Sequence, residues 1–175
     1  MKSLIIASMG VFLALSGCRT SHHIDETTVP NLDVNRYMGR WYEIARYQHS
    51  FEKDLEGVQA FYTLQDNGMI KVENSGYKDS LGGKYKEIVG KARQKKDGSA
   101  GELEVSFFLF FYSDYKILEL DTVNYNYALV GSSSDTYLWI LSRTPQMKPE
   151  DLDFLLTRIA ERGYSVDNLY WVNQP

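Results

Sequence analysis

The chain has 175 residues, 43% of them hydrophobic and 14% aromatic, with 13 Tyr, 8 Phe and 3 Trp. That length supports one domain with a real core, and so high an aromatic share favours β structure. A formal net charge of −4 argues against nucleic acid as a partner, because phosphate backbones are bound by surplus Lys and Arg. No stretch beyond the N-terminus is long and apolar enough to span a bilayer.

The N-terminus has the form of an export leader. Lys2 supplies the positive charge, and Leu4 to Leu15 is nearly all apolar or small, yet too short to span. It runs into Leu15-Ser16-Gly17-Cys18, which resembles a bacterial lipobox. The resemblance implies cleavage after residue 17 and acylation of Cys18 with three chains; at ~0.8 kcal/mol per buried methylene, two or more chains anchor stably. Cys18 is the sole Cys, so lipidation would also remove a free thiol that is unusual in an exported protein, and the fold must stand without an intramolecular disulfide. Arg19 in the next position, rather than Asp, resembles lipoproteins routed to an outer membrane, here on its periplasmic side. The expected plan is a leader over 1–17, a tether over 18–31 and a folded domain over 32–175. The tether, with His22, His23, Asp25 and Glu26, reads as solvated linker with no metal bound.

Leu32 to Met38 reads as a short helical turn capped by Asp33 or Asn35, with Leu32, Val34, Tyr37 and Met38 covering the lower end of the folded domain. Gly39 then lets the backbone bend and approach a neighbour without a Cβ clash, and Trp41 gains room to lie inward. Eight strand-like runs come next, at Arg40–Tyr47, Val58–Gln65, Met69–Tyr77, Lys84–Gln94, Glu102–Phe108, Tyr115–Asp121, Tyr125–Gly131 and Thr136–Ser142. Turn signals such as Asp66-Asn67-Gly68 separate them. Val58, Ala60, Tyr62 and Leu64 share one face of their run, as do Ile70 with Val72 and Leu103 with Val105 and Phe107. Gly90 and Ala92 are small and would leave space inside. The sixth run has two readings, Tyr115 with Ile117 inward or Leu118 with Leu120 inward. The fold class expected is all-β, an eight-stranded up-and-down antiparallel barrel, of a size that holds one small ligand. After Thr144-Pro145, Pro149 and the acids Glu150 and Asp151 open a helix. Its apolar stripe is Leu152, Leu155, Leu156 and Ile159, its stop is Gly163, and its place is outside the barrel. Leu169-Tyr170-Trp171-Val172 closes the chain as a short apolar segment. If the first and eighth strands pair, Arg143 can lay its guanidinium over Trp41, a contact worth ~0.5–2 kcal/mol, and seal one end.

With these parts in order, the chain resembles the lipocalin family, and closely its bacterial outer-membrane lipoprotein group, over about Asn31 to Pro175. Three stretches carry the resemblance: Arg36 to Arg46 around Gly39-Arg40-Trp41; Leu120-Asp121-Thr122 with Tyr125 to Gly131; and Trp139 to Pro145 around Arg143. The second departs from the family's usual Thr-Asp-Tyr, since Asp121-Thr122-Val123-Asn124-Tyr125 carries an extra residue. The resemblance implies carriage of small apolar molecules in the barrel. For the bacterial group it implies fatty acids or lysophospholipids, a part in envelope maintenance, and pairing of some members as homodimers.

In a meander barrel alternate loops share an end. With Trp41 and Arg143 at the closed end, Gln48–Gly57, Gly76–Gly83, Leu109–Asp114 and Ser132–Asp135 ring the mouth. The lining expected is Ala60, Tyr62, Val105, Phe107, Tyr115 and Trp139, with Lys53, Lys78 and Lys84 placed to meet a phosphate or carboxylate headgroup. Burial of an acyl chain of about 16 carbons is worth on the order of 10 kcal/mol, reduced by the cost of association. Phe107-Phe108-Leu109-Phe110-Phe111-Tyr112 has two readings, side chains folded back as core or a greasy lip at the mouth. Chemistry is not indicated. Cys18 lies outside the barrel, His22 and His23 sit in the tether and His49 in a mouth loop, so neither a nucleophile with its base nor a haem or metal ligand is suggested. The chain reads as a binding protein without a cofactor. The alternative is a structural envelope lipoprotein with a filled barrel and no transported ligand.

Overall fold

The computed structural model describes residues 23–175. The leader, Cys18 and the first residues of the tether, including His22, lie outside the described residues.

A four-residue helix, α1 (Val34–Tyr37), precedes eight strands: β1 (Gly39–Tyr47), β2 (Leu55–Leu64), β3 (Ile70–Lys78), β4 (Tyr85–Gln94), β5 (Glu102–Phe108), β6 (Phe111–Leu120), β7 (Tyr127–Gly131) and β8 (Leu138–Ser142). Helix α2 (Pro149–Glu161) and a short strand, β9 (Leu169–Trp171), complete the chain. Each strand from β1 to β8 pairs antiparallel with its sequence neighbours, and β1 pairs with both β2 and β8, so the meander closes on itself. The Asp66-Asn67-Gly68 signal forms its hairpin: Gly68 sits at φ +79°, and the Gln65 amide donates to the Met69 carbonyl.

Two bulges set which side chains face inward. In β6 the register slips between Ile117 and Glu119. Tyr115, Ile117 and Leu120 therefore join the inner core, while Leu118 packs outside, against the helix. Both readings of the sixth run hold in part, one on each side of the extra residue. In β1 the slip lies between Glu43 and Ala45. It turns both Trp41 and Arg46 inward although they differ in parity, and Glu43, paired with inward Leu141, lies between them.

The base is closed as expected. Leu32, Val34, Tyr37 and Met38 pack under the inner core, and Asp33 caps α1 by accepting from the Asn35 and Arg36 amides. Helix α2 lays Leu155 and Ile159, both fully buried, on an outer cluster of Ala45, Tyr47, Leu118, Leu129, Leu138 and Ile140.

Three expectations change. The tether does not run free to Asn31: Ile24 joins the outer cluster and Val29 the inner one, and the Val29 amide donates to the Ile117 carbonyl. The buried Arg162 guanidinium fixes this segment by donating to the carbonyls of Asp25, Thr27 and Leu118, and through Glu119 Oε1 at 2.9 Å. Polar composition hid the clamp, because the segment's amides and carbonyls, with only Ile24 and Val29 apolar, make the contact. Leu109–Asp114 is not a long loop either. Strand β6 begins at Phe111 and only Leu109 and Phe110 turn. The third change is at the end of the chain, where β9 adds to β1 over Ala45–Tyr47, at the mouth end where β2 has left it. Residues 172–174 then stitch that seam, with Val172 N–H to Ile44 O, Gly57 N–H to Asn173 O, and the Gln174 amide to Glu43 O and Val58 O.

Candidate ligand-binding site

The structure brings Gly39, Trp41 and Arg143 together at the base. The Arg143 guanidinium lies 3.8 Å from the Trp41 ring centroid. It donates to Arg40 O at 2.7 Å, Arg36 O at 2.6 Å and Tyr125 O at 3.2 Å. One cation thus satisfies carbonyls from three segments, and the Trp41 indole N–H donates to Tyr37 O at 2.8 Å. A Cβ at Gly39 would meet Arg143 at 3.5 Å, an ordinary contact. What requires glycine there is the backbone, at φ +90°, not the close approach expected from the sequence. The turn with the extra residue is held by Asp121, which accepts from the amides of Val123, Asn124 and Asn126.

Above this base the inner wall changes character, and does so in step on four strands. On β3, inward Ile70 and Val72 are buried but Asn74 is half-buried; on β5, Leu103 is buried and Val105 half-buried. On β6, Ile117 is buried, Tyr115 half-buried and Ser113 exposed; on β4, Ala92 is buried and Ile88 is 51% exposed. The registers pair these residues across strands, so each series faces the same way. The barrel is filled below and open from about the level of Tyr115 upward. The floor of this cup is polar. Tyr115 shares hydrogen bonds with Tyr37 at 2.7 Å and Tyr62 at 3.1 Å. Burial raises the pKa of all three phenols, that of Tyr62 to about 12. All three keep their protons, and two mutual bonds use two of them, which leaves one O–H to donate to whatever lies above.

All six expected lining residues face the interior. Tyr62 is in the inner core, and Ala60, Val105, Phe107, Tyr115 and Trp139 pack partly buried against it. The space expected at Gly90 is filled. A Cβ there would lie 2.6 Å from the Phe107 ring, so glycine admits that ring against the backbone. Ala92 is likewise packed into the core. Of the three lysines expected to meet a headgroup, Lys78 is paired with Asp54 at 2.9 Å, while Lys53 and Lys84 are exposed.

Sequence reasoning missed a charged wall beside Trp139. Arg46, fully buried, donates to Glu43 Oε1 at 2.7 Å, Gln48 Oε1 at 3.1 Å and Glu52 O at 2.7 Å, and lies over the Tyr170 ring at 4.8 Å. Glu52 reaches in from the β1–β2 loop and accepts from the Trp139 indole at 3.1 Å. His49 stacks on Phe51 with ring centroids 3.9 Å apart. Its Nε2 is 3.2 Å from Glu52 Oε2 but off any hydrogen-bonding angle, so neither ring nitrogen has a partner among the described residues. Burial, then the Arg46 charge, hold His49 down to about 4, so it is neutral. Burial raises both Glu43 and Glu52, Glu43 also through the Glu52 charge, against the pull of Arg46. Two acids facing one guanidinium thus hold protons more readily than exposed ones. Opposite charges three apart in a strand were the available signal, since only a bulge turns both inward.

The aromatic run between β5 and β6 resolves as a lip. Phe108, Leu109, Phe110 and Phe111 are all exposed, Phe110 to 80%.

A profile described as a lipocalin-like domain matches residues 32–174. The outer membrane lipoprotein Blc of Vibrio cholerae is 42% identical over 146 residues, covering 83% of this chain and 85% of its own. That of Escherichia coli K12 is 39% identical over 172 residues, 98% of this chain and 96% of its own. Among solved structures, insecticyanin of the tobacco hornworm, Manduca sexta, superposes with a TM-score of 0.72 at 19% identity, over 87% of this chain and 86% of that one, and so bears on the fold. Agreement with the bacterial lipoproteins along nearly the whole chain also gives its location, the outer membrane. The chain belongs to the lipocalin family, among its bacterial outer-membrane lipoproteins.

Proposed function

We propose that the protein binds a single-chain amphiphile, a fatty acid or a lysophospholipid, and stores or transports it for maintenance of the envelope. It acts from the periplasmic side of the outer membrane, held there by acylated Cys18. The observation that carries this reading is the stepwise opening of the inner wall above Tyr115, shared by β3, β4, β5 and β6. Apolar side chains there offer burial at about 0.8 kcal/mol per methylene, and the phenol floor offers a hydrogen bond. On this reading Ala60, Tyr62, Val105, Phe107, Tyr115 and Trp139 line the ligand, while Gly39, Trp41 and Arg143 seal the base. The protein carries a ligand rather than converts one.

Native mass spectrometry of the protein purified from its own envelope tests the reading. A co-purifying fatty acid or lysophospholipid supports it. An empty protein that also takes up no added acyl probe would instead favour the filled, structural barrel.

A further inference from the structure

The barrel wall is incomplete on one side. Strand β4 stays paired with β3 as far as Tyr85, but pairs with β5 only from Lys91 to Gln94. Above Lys91, β5 bulges between Val105 and Phe108 and peels away towards β6. The backbone edge of β4 from Tyr85 to Gly90 thus has no β5 partner. A cleft of about 300 Å³ lies where the two strands part, lined by Val89, Gly90, Lys91, Ser106, Phe107, Phe108 and Leu109. Two of these residues belong to the interior as well. Gly90 is in the inward series of β4, and Phe107 packs on the inner core with its ring against Gly90. The Phe107 ring thus touches both the cleft and the inner core.

The flanks of the cleft are apolar on both sides: Ile88 and Val89 on β4, and Phe108, Leu109, Phe110 and Phe111 on the hairpin. The hairpin turn itself puts Leu109 at φ +51°, where Asn or Gly would be at ease. An apolar branched residue is kept there against the backbone preference. Exposed Lys86 and Lys91 lie on the same strand, and exposed Lys84 just precedes it.

We propose that this cleft is a lateral portal, through which an acyl chain passes into and out of the barrel sideways, with Phe107 as its gate. The proposal rests on the carrier reading and adds the route. The chain lies along the Phe108–Phe111 lip, slips between β4 and β5 as the Phe107 ring swings from Gly90, and leaves an anionic headgroup beside the lysines. Lateral passage spares the polar wall opposite, where Arg46 and Glu52 stand beside Trp139 and His49 stacks on Phe51.

The test is stopped-flow exchange of anthroyloxy-labelled stearate between the full chain, purified from its envelope and delipidated, and phosphatidylethanolamine–phosphatidylglycerol vesicles. A gate shows in the association rate, which loss of a lining contact alone leaves unchanged. Phe107→Ala is therefore expected to raise the association rate about tenfold, with dissociation faster by at least as much because the ring also lines the bound chain. Phe107→Leu, which keeps bulk in the barrel, should give a smaller rise of the same pattern and serves if the alanine variant is poorly folded. A faster dissociation alone, with Kd weakened in proportion, would make Phe107 an ordinary lining residue and overturn the portal. So would acceleration by Phe51→Ser at the opposite loop with none from either Phe107 variant, since the ligand then enters from the top. If the parent protein takes up no labelled stearate at all, the carrier reading falls with the portal. Uptake with unaltered rates removes the portal alone.

Discussion

Arg143 does more than rest on an indole. Its three carbonyl bonds join the chain before β1, β1 itself and the turn before β7, so its loss would leave three backbone acceptors short of a donor. Arg143→Ala is expected to cost about 3 kcal/mol, from charged hydrogen bonds and the cation–π contact together. Arg143→Lys should recover little of it, because an ammonium cannot match the fork; urea denaturation measures both. Gly39, Trp41 and Arg143 were legible in the sequence because each is a fixed residue type in a short motif. Glu43 and Arg46 were not, since an alternating strand places them on opposite faces and nothing local announces the bulge. His49 gives a second prediction. It titrates at about 4 in place of its ordinary 6.5, so between those values the unfolded chain binds more protons than the folded one. Its contribution to stability therefore falls as pH drops through that window. Glu43 and Glu52 act oppositely: raised above 4.5, they favour the folded state below that value and lose this as pH rises. His49→Phe keeps the stack on Phe51 and removes only the first effect. Its stability relative to the parent should grow by roughly 2 kcal/mol between pH 7 and pH 5, and a constant difference across denaturation curves at the two pH values would refute the assignment.

At the scale of elements, the seam between β1 and β2 depends on the last residues of the chain. Removing residues 172–175 deletes the bonds from Val172 to Ile44, from Gly57 to Asn173 and from Gln174 to Glu43 and Val58. It also deletes that from the Asn173 amide to Glu56. At about 0.5–1.5 kcal/mol per bond the truncation should cost on the order of 4 kcal/mol, and hydrogen exchange should show the Gly57 amide losing protection first. The eight strands and the helix were readable because turn residues and periodicity are local. The stitching of the seam was not, because Asn173 and Gln174 act through backbone and amide groups that any polar tail possesses. The clamp on residues 24–29 was hidden likewise, its partner Arg162 lying at the far end of a helix whose apolar stripe drew the reading inward. The cup was half legible. Alternation placed the six expected lining residues on the inner face, but Gly90, expected to leave space, admits the Phe107 ring, Ala92 packs into the core, and the opening comes from strands that part near the mouth.

On the scale of the whole molecule, a lipid anchor at Cys18, as proposed, would have a shorter reach from the barrel than a tether running free to Asn31 would permit. Ile24 is already held in the outer cluster, so five residues, 19–23, separate Cys18 from packed structure. At ~3.3–3.6 Å per residue they span at most about 18 Å. On the proposed anchoring, the mouth of the barrel works within a few nanometres of the bilayer surface, where a released lysophospholipid or fatty acid is most concentrated. Binding and anchoring should nonetheless separate cleanly, because all six proposed lining residues lie on strands well after Ile24. Replacing residues 1–18 with a cleavable export leader that carries no lipobox should yield a soluble periplasmic protein. Its Kd for labelled stearate should match the parent within about twofold, a difference of less than ~0.5 kcal/mol, while sedimentation with outer-membrane vesicles is lost. Transfer from vesicles should slow even so, since the released barrel must find the surface by diffusion. If the soluble form stays with the membrane fraction, Cys18 is not the sole hold on the bilayer, and the exposed Phe108–Phe111 lip would be the surface to remove next. If it is released but fails to bind, the replaced N-terminal residues have a part in binding.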